Sequence, residues 1–305
     1  MQISTNYLFD RASAQMSQLQ NDLAKSQAQI SAQKQVLNPS DAPDQAASIT
    51  RLKSVIGRNE SYSKALDTIQ ARLDTESTTL SSASDVLIRI KELAIQANNG
   101  TQGNTSRAAI STEMKGLRDQ LLSLANSTDT TGNYIFSGSK VKTPAFADKS
   151  GVVSYQGDQT HMNVAVGDQR TIAINRPGST AFVRVVRTEG GVSSGTGFFQ
   201  SIDDLIKGVT NGNSSIMQRG LTEMDALHQG VVLAQAQSGT DMKVLEQQRA
   251  VLDDTKLTLK TALSIVEDLD MAVAITQMQK QMLSLEAAQA SFAKVSQLSL
   301  FNYLK

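Results

Sequence analysis

Gly191-Val192-Ser193-Ser194-Gly195 matches G-x-S-x-G, the pattern that in hydrolases sets a serine on a tight turn between strand and helix. Such a serine needs an acid and a histidine after it in the chain, which leaves His228 as its base. His228 sits in ALHQGVV, a stretch with helical character, and the glycines around Ser193 are equally those of a flexible linker beside a domain boundary. A serine hydrolase built on Ser193 is therefore the distant alternative.

Other chemistry is thinner still. Cysteine is absent, which removes disulfides, thiolate nucleophiles and Cys-bearing zinc sites. His161 and His228 are the two histidines and form no H-x-x-x-H pair, so no transition-metal site is expected. Glu267, Asp268 and Asp270 could act as acid, base or hard-metal ligands. Without a second cluster to meet them, they read as a solvated helix face or an inter-subunit salt bridge. Four Asn-x-Ser/Thr triplets, at Asn59, Asn104, Asn126 and Asn213, are chance matches in a Ser/Thr/Asn-rich chain. No Walker loop, G-x-G-x-x-G or EF-hand spacing occurs. Catalytic, metal and cofactor sites are all expected to be absent, and the protein is not expected to be an enzyme.

The elements that would position any site are mostly helical. Aromatic residues make up 4% of the chain and Trp is absent, so apolar area comes from Ala, Leu, Ile, Val and Met, which suit narrow helix–helix seams. Four prolines allow long helices. Basic and acidic residues balance at 29 each, which gives no general attraction to nucleic acid or an anionic membrane. The N-terminus lacks the pattern of a secretory signal peptide, and no run of apolar residues suggests a membrane span.

Leu8, Ala12, Met16, Leu19, Leu23, Ile30 and Leu37 recur at helical spacing and predict a helix over about 5–37, ended by Asn38-Pro39. Ser40 or Asp41 is a candidate cap for a second helix from Pro43 to about Asn98, striped by Ile69, Leu73, Leu80, Leu87, Ile90, Ala94 and Ala97. Ile110, Met114, Leu117, Leu121 and Leu124 predict a third. From residue 130 the pattern turns to β-branched pairs and glycines. Val164 and Val166, then Ile172 and Ile174, flank Gly167-Asp168 as in a hairpin. Arg176-Pro177-Gly178-Ser179 fits a type II turn. Helix resumes near Phe198 and again over about 214–236. It is interrupted at Ser238-Gly239-Thr240, then unbroken from Asp241 to the last residues.

The two terminal helices each carry one apolar stripe that neither can bury alone. The economical reading pairs residues 1–40 with 265–305; the alternative folds both onto one globular core. Three parts follow: a terminal coiled-coil domain (1–42 with 265–305), a helical rod (43–137 with 198–264), and an inserted β-rich outer domain (138–197). The fold class expected is mainly α, with long coiled-coil termini and a helical rod carrying a small β-rich insertion.

Several stretches carry a resemblance. Met1-Gln2-Ile3-Ser4-Thr5, LNPSDAPDQA (37–46), GNYIFSGSKVKTPAF (132–146), YQGDQ (155–159), VGDQRTIAINRPGSTAF (166–182) and LEAAQASFAKVSQLSLFNYL (285–304) occur in the order found in the bacterial flagellin family. Gln2 stands where Arg is common, and Ala42 where a second Asp is usual. The resemblance implies a structural subunit of the extracellular flagellum, forming a short ring at the junction between hook and filament. Flagellin proper, the filament subunit, is the alternative, although its usual C-terminal ending is not found here. Implied partners are further copies of the chain, the hook and another hook-associated protein on one side, flagellin on the other, and an export chaperone at the C-terminal helix. Neither nucleic acid nor membrane is among them. Export without a cleaved signal peptide is implied as well. The implied subunit-interface residues are Ile3, Leu8, Met16, Leu19, Leu23, Ile30 and Leu37 at one end. At the other they are Met271, Ile275, Met278, Met282, Leu285, Phe292, Leu298, Phe301, Tyr303 and Leu304.

Overall fold

The computed structural model describes residues 2–189 and 192–303; for 2–6, 8, 188, 189, 192 and 295–303 it describes the backbone alone. In chain order the elements are α1 (Gln2–Ala32), α2 (Pro43–Ala97), α3 (Asn104–Ala125), β1 (Phe146–Lys149), β2 (Val152–Tyr155), β3 (Asn163–Ala165), β4 (Thr171–Ala173), α4 (Gly178–Ala181), β5 (Val185–Glu189), β6 (Val192–Thr196), α5 (Phe198–Asn211), α6 (Ser214–Glu267) and α7 (Met271–Tyr303). The class is mainly α, as the periodicity predicts. Two compact units divide the chain: the residues up to Asn59 with those from Asp254, and Glu60–Asp253.

In the Glu60–Asp253 unit, the predicted stripe of α2 from Ile69 to Ala97 is buried throughout, and Ile110, Met114 and Leu121 of α3 join it. Three two-stranded antiparallel hairpins follow one another. The predicted one is present, with Val164 opposite Ile172. Phe136, Phe146, Phe182, Phe198 and Phe199 form an edge-to-face cluster with centroids 5.1–5.4 Å apart. They belong to the same core as Leu80, Ile90, Met114 and Leu227. A second, smaller core packs Leu66, Ile69 and Leu73 of α2 with Val166 and Ile172 of the hairpin and Leu245 and Leu252 of α6.

Several sequence expectations fail for identifiable reasons. No break occurs at Ser238-Gly239-Thr240; α6 runs through it. A mid-helix glycine costs only about 1 kcal/mol, and the flanking Ala234 and Leu245 are buried. The break falls instead at Asp268–Asp270, where Asp270 Oδ1 accepts the N–H groups of Ala272 and Val273 and so caps α7. Gly178 has no left-handed φ, so the type II turn is absent. Its N–H donates to the Phe136 carbonyl at 2.7 Å, and a Cβ there would stand 2.9 Å from Phe146. Close approach, and not turn geometry, requires this glycine. The glycine-rich stretch after 190 is a strand, β6, and not a linker. Finally, α2 opens with Pro43 at its first position after Ala42, whose carbonyl accepts from Ala46, so neither Ser40 nor Asp41 caps it.

Candidate assembly interface

Within the unit made by the two ends of the chain, α1 and α7 pack along each other. Phe9 meets Phe292 edge to face at 5.3 Å, and Ser26 Oγ donates to Gln281 Oε1 at 2.8 Å. Early residues of one helix thus meet late residues of the other, which makes the pair antiparallel. The half-buried positions on α1 are the stripe Phe9, Ala12, Met16, Leu19, Leu23, Ser26 and Ile30, with Asp22 and Gln29 on its flank. Those on α7 are Met271, Ala274, Met278, Gln281, Leu285, Ala288 and Phe292. Both series step three and four in alternation, the spacing of a coiled-coil seam. None of these side chains is fully buried, because two helices alone cover only one flank of each other.

The structure sorts the expected interface residues into groups. Met16, Leu19, Leu23 and Ile30 lie in the seam with Met271, Met278, Leu285 and Phe292. Ile275 and Met282 do not: they stay 39% and 42% exposed, beside Val273 and Leu283 at 65% and 68%. The sequence stripe passed through them because Ile and Met outrank Ala274 and Gln281 in hydrophobicity, while helical geometry favours the latter two positions. Leu37 lies beyond α1, half-buried in the segment before α2. The side chains of Ile3, Leu8, Leu298, Phe301 and Tyr303, and all of Leu304, lie outside the described residues.

A polar latch closes the base of the coiled coil. Gln33 takes a left-handed φ of 56°, which ends α1 five residues before the position expected from Leu37. The chain then runs antiparallel to 267–269, with Gln35 N–H donating to the Glu267 carbonyl at 2.9 Å and Leu269 N–H to that of Gln33 at 3.2 Å. Glu267, 7% exposed, accepts from Lys34 Nζ at 2.7 Å and Lys53 Nζ at 2.8 Å. Hydrogen bonds from these two lysines hold its carboxyl below the usual range. The Glu267–Asp270 cluster forms an intrachain salt bridge and a helix cap.

The hydrolase reading finds no support. Ser193 lies on β6 opposite Thr188, not on a strand-to-helix turn. His228 Nε2 is 3.0 Å from Ser84 Oγ instead. Ser84 is mid-helix in α2, where backbone N–H groups are committed to the helix and cannot stabilise an oxyanion. Among the described residues, no group of His, Asp and Glu could hold a metal ion, and no helix is long and apolar enough to cross a membrane.

The profile of the bacterial flagellin N-terminal helical region matches residues 3–141, which span α1 to α3. Flagellar hook-associated protein 3 of Salmonella typhimurium is 28% identical over 315 residues, covering 99% of each chain. Over α1 to α3 the chain is similar to the flagellin N-terminal helical region, and over its whole length to a hook-associated protein. The likeness to a flagellin is partial: that of Clostridium tyrobutyricum is 25% identical over 199 residues, 62% of this chain and 52% of that one. The crystal structure of flagellar hook-associated protein 3 from Legionella pneumophila superposes with a TM-score of 0.65 at 18% identity, over 72% of this chain and 98% of that one. It shares the fold.

Proposed function

We propose that this chain is a structural subunit of the bacterial flagellum, the one that joins hook to filament, and that it has no catalytic activity. One observation carries the mode of action. Val273, Ile275, Met282 and Leu283 remain exposed on α7 after α1 has covered the seam. Exposed apolar positions grouped on one helix mark an interaction surface. Further copies of the chain cover them, so that the terminal coiled coils pack side by side in a ring. The full-length likeness to a hook-associated protein, set against the partial likeness to a flagellin, favours the junction over the filament.

The remaining elements of the proposal follow from that role. The ring meets the hook and another hook-associated protein on one side and flagellin on the other. A chaperone shields the C-terminal helix before export, which proceeds without a cleaved signal peptide to the cell exterior. For Ile3, Leu8, Leu298, Phe301, Tyr303 and Leu304 the proposed interface role rests on the resemblance in sequence alone.

The test is a strain that makes only the Ile275→Lys, Met282→Lys variant. The expected result is a secreted, helical protein that is missing from hook tips, with intact hooks and filament subunits lost to the medium. Normal filaments on such cells would remove the assembly role of this face.

A further inference from the structure

The end of α6, from Asp254 to Glu267, belongs to the same unit as the α1–α7 pair. One side of it is half-buried at Leu259, Leu263 and Val266. On the opposite side Leu257, Thr258, Thr261, Ser264 and Ile265 are all exposed. Steps of three and four residues place them on one face of the helix. Leu257 is 68% exposed and Ile265 76%. The hydroxyls between them donate within the chain. Thr258 donates to the Asp254 carbonyl at 3.0 Å, Thr261 to the Leu257 carbonyl at 2.9 Å, and Ser264 to Asp268 Oδ2 at 2.5 Å. A hydroxyl whose proton is already bonded costs little to take out of water. The face is therefore ready to be covered, and Asp254 and Asp268 stand at its two ends.

α7 carries a face of the same kind. Val273, Thr276, Lys280 and Leu283 are exposed and step by three and four on the side away from the α1 seam. The Thr276 hydroxyl donates to the Ala272 carbonyl at 2.8 Å, so its proton is bonded as well. Lys280 sets a positive charge among these residues, where the α6 face is bounded by negative ones.

A ring requires two unlike faces on every copy. A surface that meets itself closes a pair and stops, whereas complementary faces pass from one copy to the next until the rotation closes. We infer that the outward face of α6 is the surface that covers α7 of a neighbouring copy. Leu257, Thr261 and Ile265 of one copy pack on Val273, Thr276 and Leu283 of the next. Matching three- and four-residue steps let the two ridges interdigitate. Lys280 meets the carboxylates that end the α6 face, which sets the orientation of the pair. The inference rests on the proposed assembly role and names the partner surface within it.

The test uses the photoreactive residue p-benzoylphenylalanine in the full-length chain. It replaces Lys260, at the rim of the α6 face, or Gln277, at the rim of the α7 face. Flagella sheared from cells that make only that chain are irradiated, and covalent dimers are mapped by mass spectrometry. The group at 260 should attach to residues 271–290 of a second copy, and the group at 277 to residues 254–268. Lys280→Glu should lower the yield of both products at least about tenfold, because it sets like charges against each other. Helix content and secretion should not change. Dimers joined α6 to α6 or α7 to α7 overturn the proposal. So does a chain that is present in sheared flagella yet gives neither product, or a yield that Lys280→Glu leaves unaltered. Each of those outcomes leaves the assembly role standing. A parent chain absent from sheared flagella removes the assembly role itself, and the pairing with it.

Discussion

Glu76 of α2 and Arg176, just after β4, are bonded Oε1 to Nε at 2.7 Å, and the carboxylate is only 1% exposed. Arg176 also donates to Gln237 at 2.7 Å and Asp241 at 3.0 Å on α6. One guanidinium thus ties the β-rich insertion to two long helices. Arg187 repeats the device with Asp204 and Glu223, and Arg118 with Asp148 and Asp203. Arginine suits these places because its planar fork satisfies several carboxylates at once.

Breaking such a pair from one side leaves a charge buried without its partner. Glu76→Ala should lower unfolding stability by about 3–5 kcal/mol, whereas Glu76→Leu combined with Arg176→Met should cost much less. Urea unfolding of both variants checks this, and equal losses would show that the geometry and not the charge balance matters.

Acid should act on Glu267 and Glu76 in opposite directions. The Glu267 carboxyl is held below its ordinary 4.5 by Lys34 and Lys53. Its contribution is full above that value and is lost as pH falls through the depressed one. Burial instead raises the Glu76 carboxyl, against the pull of Arg176. That group favours the fold at low pH, and the benefit is lost as pH rises through the raised value. From about pH 5 to 3 the amide protection of α1 and α7, taken relative to intrinsic exchange rates, should fall, and Glu267→Gln should abolish that fall.

The uninterrupted run of α6 has its own signature. Gly239 has open space where a Cβ would go, so Gly239→Ala should stabilise by about 1 kcal/mol. Ser238 Oγ is buried without a partner, so Ser238→Ala should be neutral or stabilising. A loss of melting temperature in either variant would indicate a bend that α6 needs.

The aromatic cluster joins the insertion to the helices. Phe182 is 2% exposed and touches Phe136, Phe146 and Phe198. Phe182→Ala should cost about 3–5 kcal/mol, with helical and β signals lost in one transition on thermal scanning. Separate transitions would mean that the insertion folds on its own.

The sequence by itself determined the helices, the expected hairpin and the absence of thiol chemistry, because helical and strand periods follow from the spacing of apolar residues. The stripe from Ile69 to Ala97 and the pairing of the two ends were legible for that reason. Tertiary structure decided which stripe residues face inward. Ala274 and Gln281 take the seam and leave Ile275 and Met282 outside, since a coiled coil selects by angle around the helix and not by hydrophobicity. It also decided where helices stop. Gly239 continues because packed neighbours outweigh its propensity, while α1 stops at Ala32 because Gln33 and Gln35 find main-chain partners in Leu269 and Glu267. Those partners lie more than two hundred residues away in the chain, beyond the reach of any local pattern.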